Sequence, residues 1–314
     1  MSETNFLQSA AWAKFQRDNG NKVISENASD DPADGKFLAI IEHGQISNRL
    51  YLPYGPNVSR DKFTPLIKKL RTIAGKQKLD FIRIEPTDPS ITPEVLHANG
   101  FRPSARFVDP PTTVISDLSG SEDDVRARLT QTARRYAKKC DKAGIAYSVS
   151  YRPSDIKYFL EMIHEVSART GARFHDDLYF QMFATSLFPS KSAGLLFAEL
   201  NGEKIASIVF CSDGHTMSYT HAANKTAFRK YSPATGLGLY ALLFAKKQGC
   251  QWFDWFGVAP EKFTDKRYKS WAGLTQFKMS FGGERISRVG TWELPLKKRR
   301  YWLYRALLKI TGRS

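Results

Sequence analysis

The chain has 314 residues, 42% of them hydrophobic, and a formal net charge of +16. One hydrophobic core rarely keeps growing to this length, so two lobes are expected. No apolar run of ~18 residues occurs and Met1 to Gly20 is polar and aromatic, which excludes a membrane-spanning helix and a visible signal peptide.

From the N-terminus, Phe6 to Asn19 reads as a short amphipathic helix. Val23-Ile24 and Phe37 to Ile41 read as strands on either side of an acidic loop, Ser25 to Gly35. Glu42 to Gln45 is a turn, and Arg49 to Tyr54 is a third strand ending at Gly55-Pro56. A helix is predicted from about Arg60 to Lys78, then a strand over Phe81 to Ile84. A short helix ends at His97 to Gly100, and extended chain runs from Ala105 to Leu118. Ser121-Glu122-Asp123-Asp124 is a capping signal, with acids where the helix dipole favours them. Val125, Leu129, Ala133, Tyr136 and Cys140 then share a helical face, and the other faces are rich in arginine and lysine. A solvated basic surface suffices to explain that helix, and a phosphate contact is open to it.

The same order of elements returns after Ile145. A strand over Ile145–Tyr151 leads to helices near Asp155–Thr170 and Asp177–Phe188. Leu195–Leu200 and Ile205–Cys211 form a hairpin around Asn201-Gly202, a strong turn signal. A strand over Met217–His221, a helix over Thr235–Gln248 and a strand over Gln251–Phe256 follow. Both halves therefore run hairpin, third strand, helix, further strand. This repeat of topology predicts two similar mixed α/β lobes with a cleft between them. Pro295 to Arg313 is helical in character, with Leu303, Leu307 and Ile310 on one face. Lys297, Lys298, Arg299, Arg300, Arg305, Lys309 and Arg313 surround that face, a pattern that fits either an anionic membrane surface or packing on the first lobe.

Charge is distributed unevenly. Residues 1–118 hold 15 basic and 14 acidic side chains, whereas the last 28 residues hold 8 basic and 1 acidic. The positive field belongs to the later part of the chain and favours a polyanionic partner. Cys140, Cys211 and Cys250 are odd in number and far apart, and read as small buried side chains in a reducing, cytoplasmic setting.

Several chemistries lack their signatures: no zinc-type Cys/His spacing, no Gly-x-Ser-x-Gly elbow, no Gly-Lys-Thr phosphate loop. Asp254, in an otherwise apolar strand, is either a buried hydrogen-bonded group or a general base or ligand contact. Gly236-Leu237-Gly238 opens a helix as pyrophosphate-binding loops do, but Pro233, three residues before Gly236, has no N–H to offer. The most specific stretch is Gly273 to Gly283, in which Lys278 sits among Phe277 and Phe281 before a double glycine. A cation beside flat apolar surfaces suits an anionic, partly aromatic ligand.

The run Gly273-Leu274-x-x-Phe277-Lys278-x-x-Phe281-Gly282-Gly283, preceded by Asp254-x-x-Gly257, resembles the C-terminal signature of the Fem family. Phe6-Leu7-Gln8-Ser9-x-x-Trp12, the Tyr54-Gly55-Pro56 turn and the helix closing at Thr170-Gly171 are similar too, so the resemblance spans nearly the whole chain. It implies two acetyltransferase-like (GNAT) lobes, residues 1–110 with 287–314 and residues 111–286, in a compact form without a coiled-coil arm. It also implies transfer of an amino acid from aminoacyl-tRNA to the side-chain amine of a UDP-linked or lipid-linked peptidoglycan precursor peptide, with no cofactor and no metal. By the resemblance Lys278 stabilises developing charge and Phe277 shapes the channel for the terminal adenosine. Lys14 and Arg169 hold the diphosphate, with Arg173 as an addition, and Tyr54 and Tyr219 line the acceptor site. No protein base is implied, and the substrate itself can supply one. The competing expectations are an acyl-CoA-dependent N-acyltransferase on the same fold, and a non-catalytic binder of nucleic acid or anionic membrane.

Overall fold

The computed structural model describes residues 5–29, 31, 35–105, 107–263 and 266–310. The chain divides into two compact units, Met1–Pro111 with Ser287–Ser314, and Thr112–Ile286. In chain order the first unit supplies α1 (Ala10–Asp18), β1 (Lys22–Asn27), β2 (Lys36–His43) and β3 (Asn48–Leu52). It continues with α2 (Arg60–Lys76), β4 (Phe81–Ile84), α3 (Pro93–Ala98) and β5 (Arg102–Pro103). The second unit runs β6 (Thr112–Asp117), α4 (Glu122–Arg128), α5 (Gln131–Lys142), β7 (Ala146–Ser150), α6 (Ile156–Thr170) and α7 (Asp177–Leu187). Then come β8 (Ala193–Leu200), β9 (Glu203–Ser212), β10 (Thr216–Asn224), α8 (Pro233–Lys247), β11 (Trp252–Gly257), α9 (Ala272–Met279) and β12 (Glu284–Ser287). The chain finishes in the first unit with β13 (Trp292–Pro295) and α10 (Lys298–Ile310).

Each unit is built on a mixed sheet. The first has the order β1-β2-β3-β4-β13-β5, the second β12-β6-β11-β10-β9-β8-β7. In the first, β1, β2 and β3 are antiparallel neighbours, α2 crosses over, and β4 lies parallel to β3 with Arg49 opposite Phe81. In the second, β8, β9 and β10 repeat the meander, α8 crosses over, and β11 lies parallel to β10 with Thr216 opposite Trp252. The crossover helix is what the parallel pairing demands, because a tight turn can join only antiparallel strands. The repeat of topology expected from the pattern is therefore present as a mixed α/β fold. The β8–β9 turn places Asn201 and Gly202 at φ 52° and 79°, the left-handed pair that a two-residue hairpin needs.

The core of the first unit is formed by β2, β3 and β4 against α2, with Leu50, Leu52, Phe63, Leu70, Ile82 and Ile84 wholly enclosed. In the second, Leu196, Phe210, Leu237, Phe253, Trp255 and Phe281 do the same work between the sheet and α8.

Five local expectations change. The single helix expected beyond Ser121 is two, α4 and α5, parted where Leu129 turns extended at ψ 146° and the Thr130 side chain caps a new start. The first helix is interrupted: a 3-10 turn over Phe6–Gln8 precedes α1, because the Ser9 hydroxyl accepts from the Trp12 N–H at 3.1 Å and caps a new start. The loop expected from Ser25 begins later, since β1 pairs with β2 as far as Asn27 opposite Lys36. Helix α8 begins at Pro233, where a missing N–H costs nothing in the first turn. The face of α10 that packs is Tyr301, Tyr304 and Leu308 on Phe81, whereas Leu303 and Ile310 are exposed. The reason is polar. Arg83 and Glu293 are both 1% exposed and joined at 2.6 Å, and the Tyr301 hydroxyl donates to Glu293 while the Tyr304 hydroxyl accepts from Arg83. Leucines on that face would leave the buried pair short of partners. The side chain of Lys309 and all of Arg313 lie outside the described residues.

Candidate active site

The second unit gathers Tyr219, Asp254, Phe277 and Lys278. Lys278 projects from the last turn of α9 and is 4% exposed. Its ammonium donates to the Gly257 carbonyl at 2.9 Å and lies 5.2 Å from the centre of the Tyr219 ring. Around it, Trp255 stacks on Phe281 at 4.3 Å, Phe277 meets the Phe281 edge at 5.1 Å, and Tyr219 leans on Trp255 at 5.6 Å. Burial pushes the Lys278 pKa down to about 7, opposed by the negative charge of Asp254. An ammonium has three donors and the Gly257 carbonyl takes one. The group is thus desolvated and ready for an anion.

Asp254 explains why the carbonyl is there. Its carboxylate is buried on β11, accepts from the Thr113 hydroxyl, and accepts from the Phe256 N–H at 2.7 Å. Phe256 has φ 58°, a left-handed conformation that costs energy for a residue with a Cβ. The Asp254 bond fixes that turn, and the β11–β6 register shifts between Asp254 and Gly257. The carbonyl of Gly257 then faces Lys278. Asp254 is thus placed as a positioning group that also carries a counter-charge.

His221 was not legible as a neighbour of this site. It lies on β10 just beyond a register shift at Tyr219, with Phe180 at 5.1 Å. Burial, then His175 and Lys278, hold its pKa down to about 3, so it is neutral at physiological pH. Arg169 and Arg173 are exposed at and just after the end of α6, whose closing residue Gly171 has φ 70°.

The first unit holds Lys14 and Tyr54. Lys14 has a side chain 60% exposed and pairs with Asp18 one helical turn on. Tyr54 is buried at φ 40°. Its hydroxyl donates to the Pro110 carbonyl at 2.7 Å, and the Arg288 guanidinium lies 4.7 Å from its ring centre. Gln8, from the N-terminal Phe-Leu-Gln-Ser stretch, braces this turn: its amide donates to the Pro53 carbonyl at 2.6 Å and accepts from the Leu38 N–H at 2.9 Å. A Cβ on Gly55 would come within 2.7 Å of that amide, which accounts for the glycine. Next to Tyr54 a narrow pocket is lined by Glu85, Asp109 and Arg288. There the Tyr51 hydroxyl lies 2.7 Å from Glu85 and 2.6 Å from Asp109. One hydroxyl proton cannot serve two carboxylates, so one acid in this trio is protonated. Burial and the charge of Glu85 push Asp109 well up, which makes it the holder. Neither acid was singled out from sequence, since each reads as an ordinary loop acid beside proline.

The Gly236-Leu237-Gly238 segment is filled by protein. A Cβ on Gly236 would overlap the Tyr147 hydroxyl and lie 2.8 Å from the Cys140 sulfur, and one on Gly238 would run into the Phe281 ring. These glycines allow α8 to pack closely on α5 and on the aromatic wall behind Lys278. The expectation of a modified pyrophosphate loop gives way to close helix packing. Among the described residues no cluster of His, Cys, Asp and Glu could hold a metal ion, and no helix is long and apolar enough to cross a membrane.

Residues 202–309, which include Asp254, Phe277 and Lys278, match the model of the FemAB family. The crystal structure of FemX superposes with a TM-score of 0.83 at 16% identity, covering 95% of this chain and 94% of that one. The C-terminal domain of a putative lysylphosphatidylglycerol synthetase from Agrobacterium fabrum gives 0.61 at 13% identity, covering 96% and 92%. L-PGS from Bacillus licheniformis gives 0.61 at 18%, covering 94% and 90%. No curated protein matches the sequence. The segment that contains the Lys278 site thus matches the FemAB family model, and the chain as a whole has the fold of FemX.

Proposed function

We propose that this protein moves an amino acid from aminoacyl-tRNA to the side-chain amine of a peptidoglycan precursor peptide, building an interpeptide bridge. The observation that carries the reading is Lys278, a buried cation against an aromatic wall within the FemAB segment. The reaction makes a C–N bond at the aminoacyl carbonyl and breaks the ester C–O bond to the terminal ribose. The attacking amine gives up a proton and the departing ribose oxygen takes one. Between those steps the carbonyl oxygen carries negative charge, and a desolvated ammonium stabilises such charge far better than one in water. Phe277, half-buried at the edge of the wall, offers a ring face to the terminal adenosine. Tyr219 supports the Lys278 ammonium from below, and its hydroxyl is kept protonated by burial. Lys14, Arg169 and Arg173 keep the exposed cationic groups that a phosphate-bearing acceptor requires, and Tyr54 presents its ring to Arg288. The alternative in which acetyl-CoA is the donor loses its main support, because the Gly236–Gly238 backbone is covered by Tyr147, Cys140 and Phe281.

The test is incubation with a pool of charged tRNAs and both acceptors, the UDP-linked muramyl peptide and its lipid-linked form, followed by mass measurement. A gain of one aminoacyl residue on either acceptor is expected, and the mass names the donor. No gain on either, together with acylation of an amine by acetyl-CoA, overturns the reading.

A further inference from the structure

Helix α10 has two unlike faces. The inner one is fixed by the Phe81, Tyr301, Tyr304 and Leu308 cluster and by the buried Arg83–Glu293 pair. A second tie is electrostatic: Asp80, wholly buried, lies 3.3 Å from both Lys297 and Arg300. The helix is therefore a fixed part of the first unit. Its outer face shows no such buried pair among the described residues. Trp302 is 48% exposed, Leu303 58% and Ile310 79%.

Arg299, Leu303, Ala306 and Ile310 follow the three-and-four spacing of one helical stripe, and Trp302 borders it. Apart from Phe174 and Leu178, the other exposed large apolar residues among those described are scattered through the chain, whereas these three lie within nine positions of one helix. Cations surround the stripe. Lys298 and Arg299 are exposed and have no ion pair among the described residues, and the Arg102 and Arg305 guanidiniums lie 5.6 and 5.9 Å from the Trp302 ring.

We infer that the outer face of α10 is a docking surface for an anionic lipid bilayer. In this arrangement the helix lies in the plane of the interface. Leu303 and Ile310 enter the acyl boundary, Trp302 sits at headgroup depth, and Lys298, Arg299 and Arg305 meet lipid phosphates. Nucleic acid fits this face poorly, because its phosphates would be set against leucine and isoleucine. A second copy fits poorly too, since two such faces bring like charges together without an acid to separate them. The inference stands apart from the aminoacyl transfer reading.

The experiment is flotation of the full chain with vesicles of equal parts phosphatidylglycerol and phosphatidylcholine, against vesicles of phosphatidylcholine alone. Wild type is expected to float with the first and far less with the second. Leu303→Ser with Ile310→Ser changes only exposed positions, so an unchanged Tm is expected, while partitioning falls by roughly ten-fold or more. Lys298→Gln with Arg299→Gln should narrow the gap between the two vesicle types. Transfer to the soluble UDP-linked acceptor is expected to be the same in all variants, so loss of lipid binding and loss of turnover are read in separate assays. The inference is overturned if wild type does not float with the anionic vesicles at low salt, or if the double serine variant floats as well as wild type. It is equally overturned if that variant converts a dimer to a monomer, or loses tRNA affinity, in the absence of any vesicle binding.

Discussion

The two units place a buried ionisable site at the same point of the same topology, yet with opposite charge. In the first unit β4, the strand after the crossover helix, runs straight into Glu85, which shares the Tyr51 hydroxyl with Asp109 and accepts from the Thr291 hydroxyl at 2.6 Å. In the second, β11, its counterpart, ends in the left-handed turn at Phe256 and presents the Gly257 carbonyl to Lys278. The first site is closed on itself: its acids bond to a tyrosine, a threonine and the backbone, and a shared proton removes half the charge. Among the described residues, the second leaves Lys278 with the Gly257 carbonyl, an aromatic wall and the counter-charge of Asp254. The fold supplies the location, and the balance of donors and acceptors decides whether a ligand is needed to complete it.

The largest expected effect comes from deleting the incomplete site. Lys278→Ala should lower kcat/KM for aminoacyl transfer by about 10²–10³-fold, the usual cost of losing a charge-stabilising donor. The fold should survive, since a buried ammonium with a lowered pKa is itself unfavourable. Titration sharpens the point. The acceptor amine must be neutral, so activity first rises with pH; in the free enzyme it should then fall as Lys278 loses its proton near about 7. Lys278→Arg keeps its charge throughout and should lose that alkaline limb. Stability has the opposite sign. The folded pKa lies below the unfolded value of 10.5, so the unfolded chain binds the extra proton and stability should rise with pH between about 7 and 10.5. A Lys278→Ala enzyme with wild-type turnover would remove the site's charge from the mechanism.

How much of this contrast is legible in the sequence depends on how close its members lie in the chain. The Lys278 side was readable because Phe277, Lys278 and Phe281 fall in one short run, and because Asp254 stands out within an apolar strand. The residues that surround this pair were not. Thr113 is 141 residues from Asp254, and His221 becomes a neighbour only through the β10 irregularity. In the first unit Glu85 and Asp109 are 24 residues apart, and Thr291 is 206 residues from Glu85, so no local pattern joins them. The hairpins, crossover helices and strands were readable because periodicity and turn residues act over a few positions. On α10 the periodicity suggested a leucine face. The buried Arg83–Glu293 pair selected the tyrosines instead, which a count of apolar positions cannot anticipate.

A smaller effect is expected from Asp254→Asn. Asparagine keeps the one oxygen that accepts from both the Thr113 hydroxyl and the Phe256 N–H, so the turn should hold. What disappears is the negative charge that raises the Lys278 pKa against burial. The alkaline limb of the kcat/KM profile should therefore move to lower pH, with the maximum rate nearly preserved. A purely structural Asp254 would lower the rate at every pH and leave the limb in place. Comparing the full profile of the variant with that of wild type separates these outcomes.

The smallest effect belongs to the closed site. Asp109 holds a proton in the folded chain because burial and Glu85 raise its pKa well above the usual 3.8. Above that value the unfolded chain releases the proton and the folded chain keeps it, so this group contributes stability at low pH that is lost as pH rises through the folded pKa. Asp109→Asn mimics the protonated acid. Its amide can donate to the Tyr51 oxygen while the Tyr51 hydroxyl donates to Glu85, and neither bond depends on pH. Wild-type Tm should therefore decline relative to the variant as pH rises above the usual 3.8, by roughly 2–4 °C for each 1 kcal/mol of linkage. Parallel Tm curves for the two proteins would mean that Asp109 is ionised in the folded state. The first unit would then carry an open anionic site to set against the open cationic one, and the contrast between a closed and an incomplete site would fail.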